Sequence, residues 1–277
     1  MTGDDVLPVT HIRPGSRAAS FTVDDVWQAR ELLYFLVWRD IKVRYKHTVL
    51  GIAWSILQPL LTMVVFTLFF GRLAKMPSDG VPYPLFSLAA LVPWTYFSSA
   101  VSNGSASLLG NQHLIAKVYF PRVLVPLAAV LMPAVDLMMS FAMLLLLMAL
   151  YHVAPTPMML LLPLYLLVAV LIAFAVALWT SALTIRYRDV RYVLPFVIQI
   201  WMFVTPVAYP ASLVPERWRL VYALNPMAMV VEGVRSALLG TVSPGAMIPV
   251  ALVVTLSALL AGTAYFRSVE TSIVDLA

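Results

Sequence analysis

Long apolar stretches, separated by short charged segments, make up most of this chain. A helix rises about 1.5 Å per residue and needs about 20 apolar residues to cross the hydrocarbon of a bilayer. Several stretches without any Asp, Glu, Lys or Arg exceed that length, so we predict an all-α polytopic membrane protein. These stretches are residues 48–71, 80–116, 137–185, 192–215 and 236–266.

The pattern predicts six membrane-spanning helices. The apolar region 123–185 is too long for one span, and two prolines with polar neighbours at 151–157 mark a turn between two spans. The second stretch becomes polar toward its end, which shortens the span that it can form. The predicted spans are residues 48–71, about 85–109, two within 123–185, 192–209 and about 247–266.

Composition and charge agree with this prediction and orient the spans. The chain is 62% hydrophobic and 11% charged, whereas soluble domains average about 25% charged residues. An even number of spans places both termini on one side, and thirteen of the 18 Lys and Arg fall on that side. The positive-inside rule therefore predicts cytoplasmic termini. This distribution explains the net charge of +5 without a nucleic-acid partner.

Two regions before the first span have different predicted roles. Residues 1–22 are predicted to form a flexible cytoplasmic N-terminus. Residues 23–47 carry charges along one stripe and apolar side chains such as Leu33 and Leu36 along the other, with Trp and Tyr at the edges. That pattern is typical of an amphipathic helix in the plane of the membrane interface. The helix could anchor the first span or form a moving collar around a substrate entrance.

The segment 210–245, between spans five and six, is too polar for a span and too apolar for a free loop. Asn225 is a good helix N-cap, Pro226 suits the first helical position, and Gly240 suits the end. The predicted helix would be only about 20 Å long, so we expect a re-entrant segment of short helices that gates an exit or forms a passive lid. The candidate outer-gate residues are Asn225, Glu232 and Arg235, of which the last two are spaced to form an ion pair.

The sequence gives little support for catalysis. It contains no cysteine, its four histidines are scattered, and neither metal-ligand spacing nor a Gly-x4-Gly-Lys-Ser/Thr motif is present. No nucleophile, base and orienting group stand together. We therefore predict a protein that is not an enzyme and has no metal or cofactor of its own, with any ATP hydrolysis on a separate chain.

Asp136 and the aromatic side chains are the candidates for contact with a substrate. An unpaired charge inside a span costs at least about 2.5 kcal/mol, so Asp136 should make a structural hydrogen bond, contact substrate or carry a proton. Aromatic rings could stack on sugar rings, although packing and interface belts are their commoner uses. The candidate channel-lining residues are Trp54, Trp94, Tyr96, Phe97, Asp136, Trp201, Phe203 and Tyr209.

Short motifs along nearly the whole chain, taken in order, resemble those of the type-2 ABC exporter permeases that move polysaccharides. The motifs are residues 38–46 followed by Leu50, Gly51 and 54–59; residues 114–122; residues 187–192 leading into Pro195; Thr205-Pro206 with Tyr209-Pro210; and Leu224-Asn225-Pro226 with Glu232, Gly233 and Arg235.

The resemblance implies a homodimer that works with two copies of a separate ATPase, which binds ATP and Mg. The cargo would be a lipid-linked O-antigen-like glycan exported across the bacterial inner membrane. Residues 111–122 would be the cytoplasmic segment that docks on the ATPase, and the interface helix would meet the lipid pyrophosphate. The implied docking contacts are Lys117, Tyr119, Phe120 and Arg122, and the implied headgroup contacts are Arg39, Lys42, Arg44 and Lys46.

Other functions are compatible with the same pattern. A permease of this architecture could carry a teichoic-acid-like polymer or a small drug. A membrane-embedded enzyme that transfers lipid-linked sugars, or a channel without an energy source, would work without an ATPase.

Overall fold

The computed structural model describes residues 23–46 and 51–276, and the regular elements within them are helical. The predicted N-terminal tail, residues 1–22, lies outside the described part. Short π-helical and 3-10 segments cover Thr67–Leu73, Pro157–Leu161 and Ala211–Leu213. The α-helices are α1 (Val23–Gln28), α2 (Arg30–Lys46), α3 (Gly51–Phe66), α4 (Tyr83–Gly110), α5 (Gln112–Lys117), α6 (Leu124–Leu131), α7 (Ala134–Leu150), α8 (Leu162–Arg186), α9 (Val190–Val204), α10 (Glu216–Tyr222), α11 (Pro226–Leu239) and α12 (Met247–Leu276).

The prediction of an all-α polytopic membrane protein is confirmed. Within the described residues, five helical stretches are long and apolar enough to cross a bilayer, and α9 is apolar but has only 15 residues. A total of six membrane-spanning helices therefore stays a prediction. The five stretches are Ala53–Leu73, Tyr83–Gly110, Leu124–Leu150, Pro157–Arg186 and Met247–Glu270.

Helix α9 ends earlier than the predicted span 192–209. Thr205 has φ −91° and ψ 141°, an extended conformation that the following Pro206 favours because its ring disfavours a helical residue before it. The chain then continues to Pro210 without regular structure. At the other end of the sequence, α12 continues past the predicted boundary at residue 266 to Leu276.

Close packing of small residues holds the centre of the bundle together. Helices α4 and α8 meet where Gly104 faces Ala177, and a Cβ atom on Gly104 would lie 2.5 Å from the Ala177 Cβ. Ala100 and Ala173 are also fully buried on these two helices. Small side chains let membrane helices approach closely, which matters because lipid supplies no hydrophobic drive for helix association.

The third span is broken, which the apolar pattern did not predict. Helix α6 ends at Leu131 and α7 begins at Ala134, with Met132 and Pro133 between them. Proline has no backbone N–H and its ring disfavours a continuous helix. The break gives the span a second helix N-terminus in its interior, and Asp136 lies in the first turn of α7.

The two ends of the bundle differ, and we call them basal and apical. At the basal end, Leu36 of α2, Ile115 of α5, Leu124 of α6 and Phe266 of α12 belong to one buried cluster. The first described helices and the end of the last one therefore lie together. The apical end carries α10, α11 and the start of α12.

The predicted interface helix 23–47 forms two helices, with a break at Ala29. Its predicted apolar side, including Leu36, packs on α5 and α6. Arg39 contacts Asn111 at the end of α4, whereas Arg44 contacts Met132 and Asp136 in the third span. The C-terminal part of α2 therefore contacts the third span, and the position of this helix in the interface plane stays a prediction.

Replacing Gly233 by alanine should destabilise the bundle. A Cβ atom there would lie 2.5 Å from two ring atoms of Tyr165 on α8, and overpacking of this kind costs about 1–3 kcal/mol. Gly110→Ala is the matched control, because nothing lies within 4 Å of its added Cβ atom. Thermal unfolding in detergent should show a lower midpoint for Gly233→Ala alone. Equal midpoints for the two variants would contradict this contact between α8 and α11.

Candidate functional site

An ion pair inside the bundle joins the interface helix to the third span. The Arg44 guanidinium lies 2.8 Å from Oδ2 of Asp136, whose side chain is 16% exposed. The Tyr45 hydroxyl donates to Oδ1 of the same carboxylate. Burial, followed by this bond to Asp136, raises the pKa of Tyr45, so the hydroxyl stays a neutral donor.

Three features stabilise the Asp136 charge: the positive end of the α7 helix dipole, Arg44 and Tyr45. Asp136 thus makes the bond to a neighbouring helix that the sequence analysis gave as one of its possible uses. Substrate contact and proton transfer stay predictions.

A cavity of about 390 Å³ lies beside this ion pair. Helices α2, α3, α4 and α7 each contribute to its wall, and polar side chains are frequent in it. Trp54 also borders the cavity and is 51% exposed. The polar side chains of the wall are Arg44, Ser55, Gln58, Thr95, Ser99, Asp136 and Ser140.

A proline explains part of this polarity. Pro59 lies inside α3 and has no N–H to donate to the carbonyl of Ser55, four residues earlier. The Ser140 hydroxyl of α7 donates to that carbonyl at 3.1 Å. A backbone group that would otherwise be unsatisfied in the membrane therefore has a partner from another helix.

The four basic side chains that were predicted to contact a lipid headgroup have different surroundings. Arg39 pairs with Asp40 at 2.7 Å and donates to Asn111. The Lys42 ammonium lies 5.1 Å from the Trp38 ring centre. Arg44 pairs with Asp136, and Lys46 is exposed. The four do not form one free cationic patch, because Arg39 and Arg44 already face carboxylates.

Three of the aromatic residues predicted to line a channel are core residues. Trp94, Tyr96 and Phe97 are buried in α4, and Phe97 packs edge-on against Trp201 with ring centres 5.0 Å apart. Tyr96 donates to the Val130 carbonyl and forms part of the cavity wall. Trp94 and Phe97 therefore have almost no accessible surface in this conformation, and a channel-lining role for them stays a prediction.

The other predicted channel residues keep accessible surface. Trp54 on α3 and Phe203 on α9 are exposed, while Trp201 and Tyr209 are half-buried. The Tyr209 hydroxyl donates to the Phe203 carbonyl and accepts from Tyr222. The exposed pair remains available to line a path.

The predicted docking segment forms a short helix followed by an extended turn. Lys117 is exposed, and Tyr119 is 93% exposed. Phe120 is 9% exposed and belongs to the basal cluster, and Arg122 donates to the Glu270 carbonyl of α12. Phe120 therefore packs in the basal cluster, and its role as a docking contact stays a prediction. Lys117 and Tyr119 are the side chains that a partner could meet.

At the apical end, Arg235 of α11 holds the chain that follows α9. Its guanidinium is fully buried and donates to the carbonyls of Pro206 at 2.6 Å and Val207 at 2.7 Å. It also pairs with Glu232 at 3.0 Å, as the i,i+3 spacing predicted. The Tyr83 hydroxyl donates to the carbonyl of Ala208. Consecutive carbonyls of an irregular segment thus have side-chain partners.

Asn225 fastens the start of α11 to the end of α9. Its Oδ1 atom accepts from the Met227 backbone N–H and from the Trp201 indole at 2.9 Å, and its amide donates to Thr205 at 2.9 Å. The predicted cap and the predicted end at Gly240, with φ 73°, are both confirmed. A gating role for Asn225, Glu232 and Arg235 stays a prediction, since each is fully engaged in structural bonds.

Sequence reasoning missed several residues of these networks. Tyr45 donates to Asp136 and Tyr83 donates to the Ala208 carbonyl, and both bonds depend on how the helices are oriented. The bond from Ser140 to the Ser55 carbonyl forms where Pro59 has no N–H to donate. A proline inside an apolar span was the available signal, because it identifies a carbonyl that needs another donor. In the described part of the chain, no group of three His, Cys, Asp or Glu side chains is placed to hold a metal ion.

Several known proteins are similar to this chain over most of its length. A family model described as ABC-2 type transporter matches residues 31–239. An O-antigen export system permease protein, RfbA, from Myxococcus xanthus is 31% identical over 208 residues, covering 74% of this chain and 79% of the relative. RfbA from Klebsiella pneumoniae is 28% identical, covering 73% and 77%. The polysialic acid transport protein KpsM from Escherichia coli is 24% identical, covering 84% and 91%.

Removing the Arg235 side chain should destabilise the apical end strongly. Arg235→Ala would leave Glu232 buried without its cation and several carbonyls without donors, a change that costs about 3–5 kcal/mol for buried pairs. Arg217→Ala is the control, because Arg217 is exposed and surface substitutions usually change stability by about 0.5 kcal/mol or less. A thermal midpoint for Arg235→Ala equal to that of the control would refute the network's structural role.

Proposed function

Because the chain belongs to the ABC-2 type transporter family, we propose that it is the transmembrane permease subunit of an ATP-driven exporter of lipid-linked polysaccharide. The match to the O-antigen export permease of Myxococcus xanthus, over about three quarters of both chains, carries this proposal. The similarity to a polysialic acid transport protein, a second kind of relative, also supports a polysaccharide cargo. An O-antigen-like glycan is therefore the cargo that we favour over a teichoic-acid-like polymer or a drug.

The energy source would be a separate ATPase present in two copies, with ATP and Mg bound there. The match to transporter permeases favours transport over the alternatives of a glycosyl-transfer enzyme or a passive channel. The membrane would be the bacterial inner membrane, with the basal end cytoplasmic. Lys117 and Arg122 flank Phe120 of the basal cluster in the sequence, as the positive-inside rule expects for that side.

The permease would act as a homodimer. Helix α3 and the π-helical segment after it have exposed apolar side chains such as Leu61 and Phe69, and α9 has Phe196 and Phe203. One chain leaves these faces uncovered, so a second copy or lipid must cover them. Two copies of α3 and α9 could enclose a path for the polymer, with Trp54 and Phe203 among its aromatic side chains.

Transport would couple to ATP hydrolysis at the basal end. Nucleotide-driven closure of the ATPases would push on residues 111–122, and the motion would pass through the basal cluster to α2 and α12. The interface helix would meet the lipid pyrophosphate with Lys42 and Lys46 as the accessible cations, while α11 and its neighbours would limit opening at the exit.

Depletion of the protein in its native cell tests this function. We expect full-length lipid-linked polysaccharide to accumulate on the cytoplasmic leaflet. The same accumulation should follow when the partner ATPase carries a substitution of its nucleotide-binding lysine. Fractionation and surface labelling of the polymer provide the measurement. Failure to make any polymer would instead assign the chain to synthesis, and continued export with the inactive ATPase would favour a passive channel.

The docking contact can be tested separately from folding. Tyr119→Ala, alone or with Lys117→Glu, should reduce export severalfold and leave thermal stability unchanged, because both side chains are exposed. His113→Ala is the control, since His113 is exposed at the other end of the same segment. Binding of the purified ATPase should weaken in parallel with export. Normal ATPase binding by the double variant would contradict the docking assignment.

A further inference from the structure

The cavity beside Asp136 lies within one subunit, away from the exposed face of α9. It is bounded by α3, α4 and α7, and Arg44 of α2 closes one side. Ser99 is twelve residues before the end of α4 at Asn111, which places the cavity about 18 Å along that helix from the basal end. The cavity is therefore at a depth where polar groups are expensive unless they face protein or water.

The wall of the cavity combines groups that suit a hydroxyl-rich ring. Asp136 offers a carboxylate, Gln58 an amide and Ser99 a hydroxyl, while Trp54 offers the face of an indole. Among residues 23–46 and 51–276, neither Gln58 nor Ser99 uses its side chain in a hydrogen bond, so both can bind a ligand. The volume of about 390 Å³ is within the usual range for small-molecule sites.

We propose that this cavity binds one saccharide unit of the exported substrate in a recess of each subunit, with Trp54 at the border between the recess and the path that the dimer encloses. This inference rests on the proposed function and identifies a subsite for it. The apolar face of the sugar ring would lie against Trp54, and its hydroxyls would donate to Asp136 and exchange hydrogen bonds with Gln58 and Ser99. Arg44 would orient the Asp136 carboxylate as an acceptor.

The absence of cysteine from the sequence allows a direct test. Ser99→Cys places a single thiol in the cavity, and Phe203→Cys places one on the exposed face of α9. The probe is methanethiosulfonate ethylammonium, which is small and water-soluble. Its reaction is followed in membranes that contain the inactive ATPase, with and without accumulated lipid-linked polymer. A third preparation contains the lipid carrier phosphate without sugar.

We expect the Ser99→Cys thiol to react readily without polymer and at least about tenfold more slowly with it, since a bound ring would cover the thiol. Carrier phosphate without sugar should give no protection. Adding Trp54→Ala should remove most of the protection, because aromatic contacts of this kind contribute about tenfold in affinity. Met138→Ala is the matched control, being exposed on α7 outside the cavity.

Other outcomes overturn the inference in identifiable ways. A thiol at position 99 that never reacts would mean that the cavity is closed to water. Protection at position 203 without protection at position 99 would leave polysaccharide export standing and remove the subsite. Equal protection by the sugar-free carrier would assign the cavity to a phosphate headgroup. If polymer protects neither position, the proposed function fails together with the subsite.

Discussion

The hydrogen-bonding requirement of backbone groups in hydrocarbon governs where this protein can place polar chemistry. Water is absent from the bilayer interior, so every helix break must be compensated by another part of the protein. Pro59 leaves the Ser55 carbonyl without its helical donor, and Ser140 of α7 supplies one. Pro133 interrupts the third span, and the new helix end stabilises Asp136. Both prolines line the polar cavity, together with Ser140 and Asp136.

The same requirement produces a different solution at the apical end. The segment after α9 has no regular structure, and its carbonyls accept from Arg235 and Tyr83. Arg235 is fully buried, with Glu232 as its counter-ion and the Phe86 ring 3.5 Å from its guanidinium carbon. A charge so completely bonded has no donor to spare for a substrate. This network therefore fixes the shape of the apical end, whereas the half-exposed Arg44 can still exchange partners.

Sequence alone predicted those features that depend on local chemistry. The short helix after Asn225 was predicted to within one residue because its cap, first-turn proline and terminal glycine each act locally. Span positions followed from length and apolarity. The orientation of Trp94 and Phe97 could not be predicted, because a span with apolar residues on all sides has no pattern that separates its core face from its lipid face. The burial of Phe120 could not be predicted for a related reason, since buried and exposed aromatic residues in a loop have the same sequence pattern.

The contacts at the basal end link the docking segment to the cavity through one continuous set of side chains. Asn111 joins α4 to α5 and accepts from Arg39, and Arg39 is five residues from Arg44 on the same rigid helix. Arg44 in turn reaches Asp136 at the cavity. Leu36 of α2 and Ile115 of α5 belong to the same buried cluster. Because close-packed interiors have low compressibility and transmit strain, we expect a displacement of α5 to be transmitted to α2 and to the ion pair that borders the cavity.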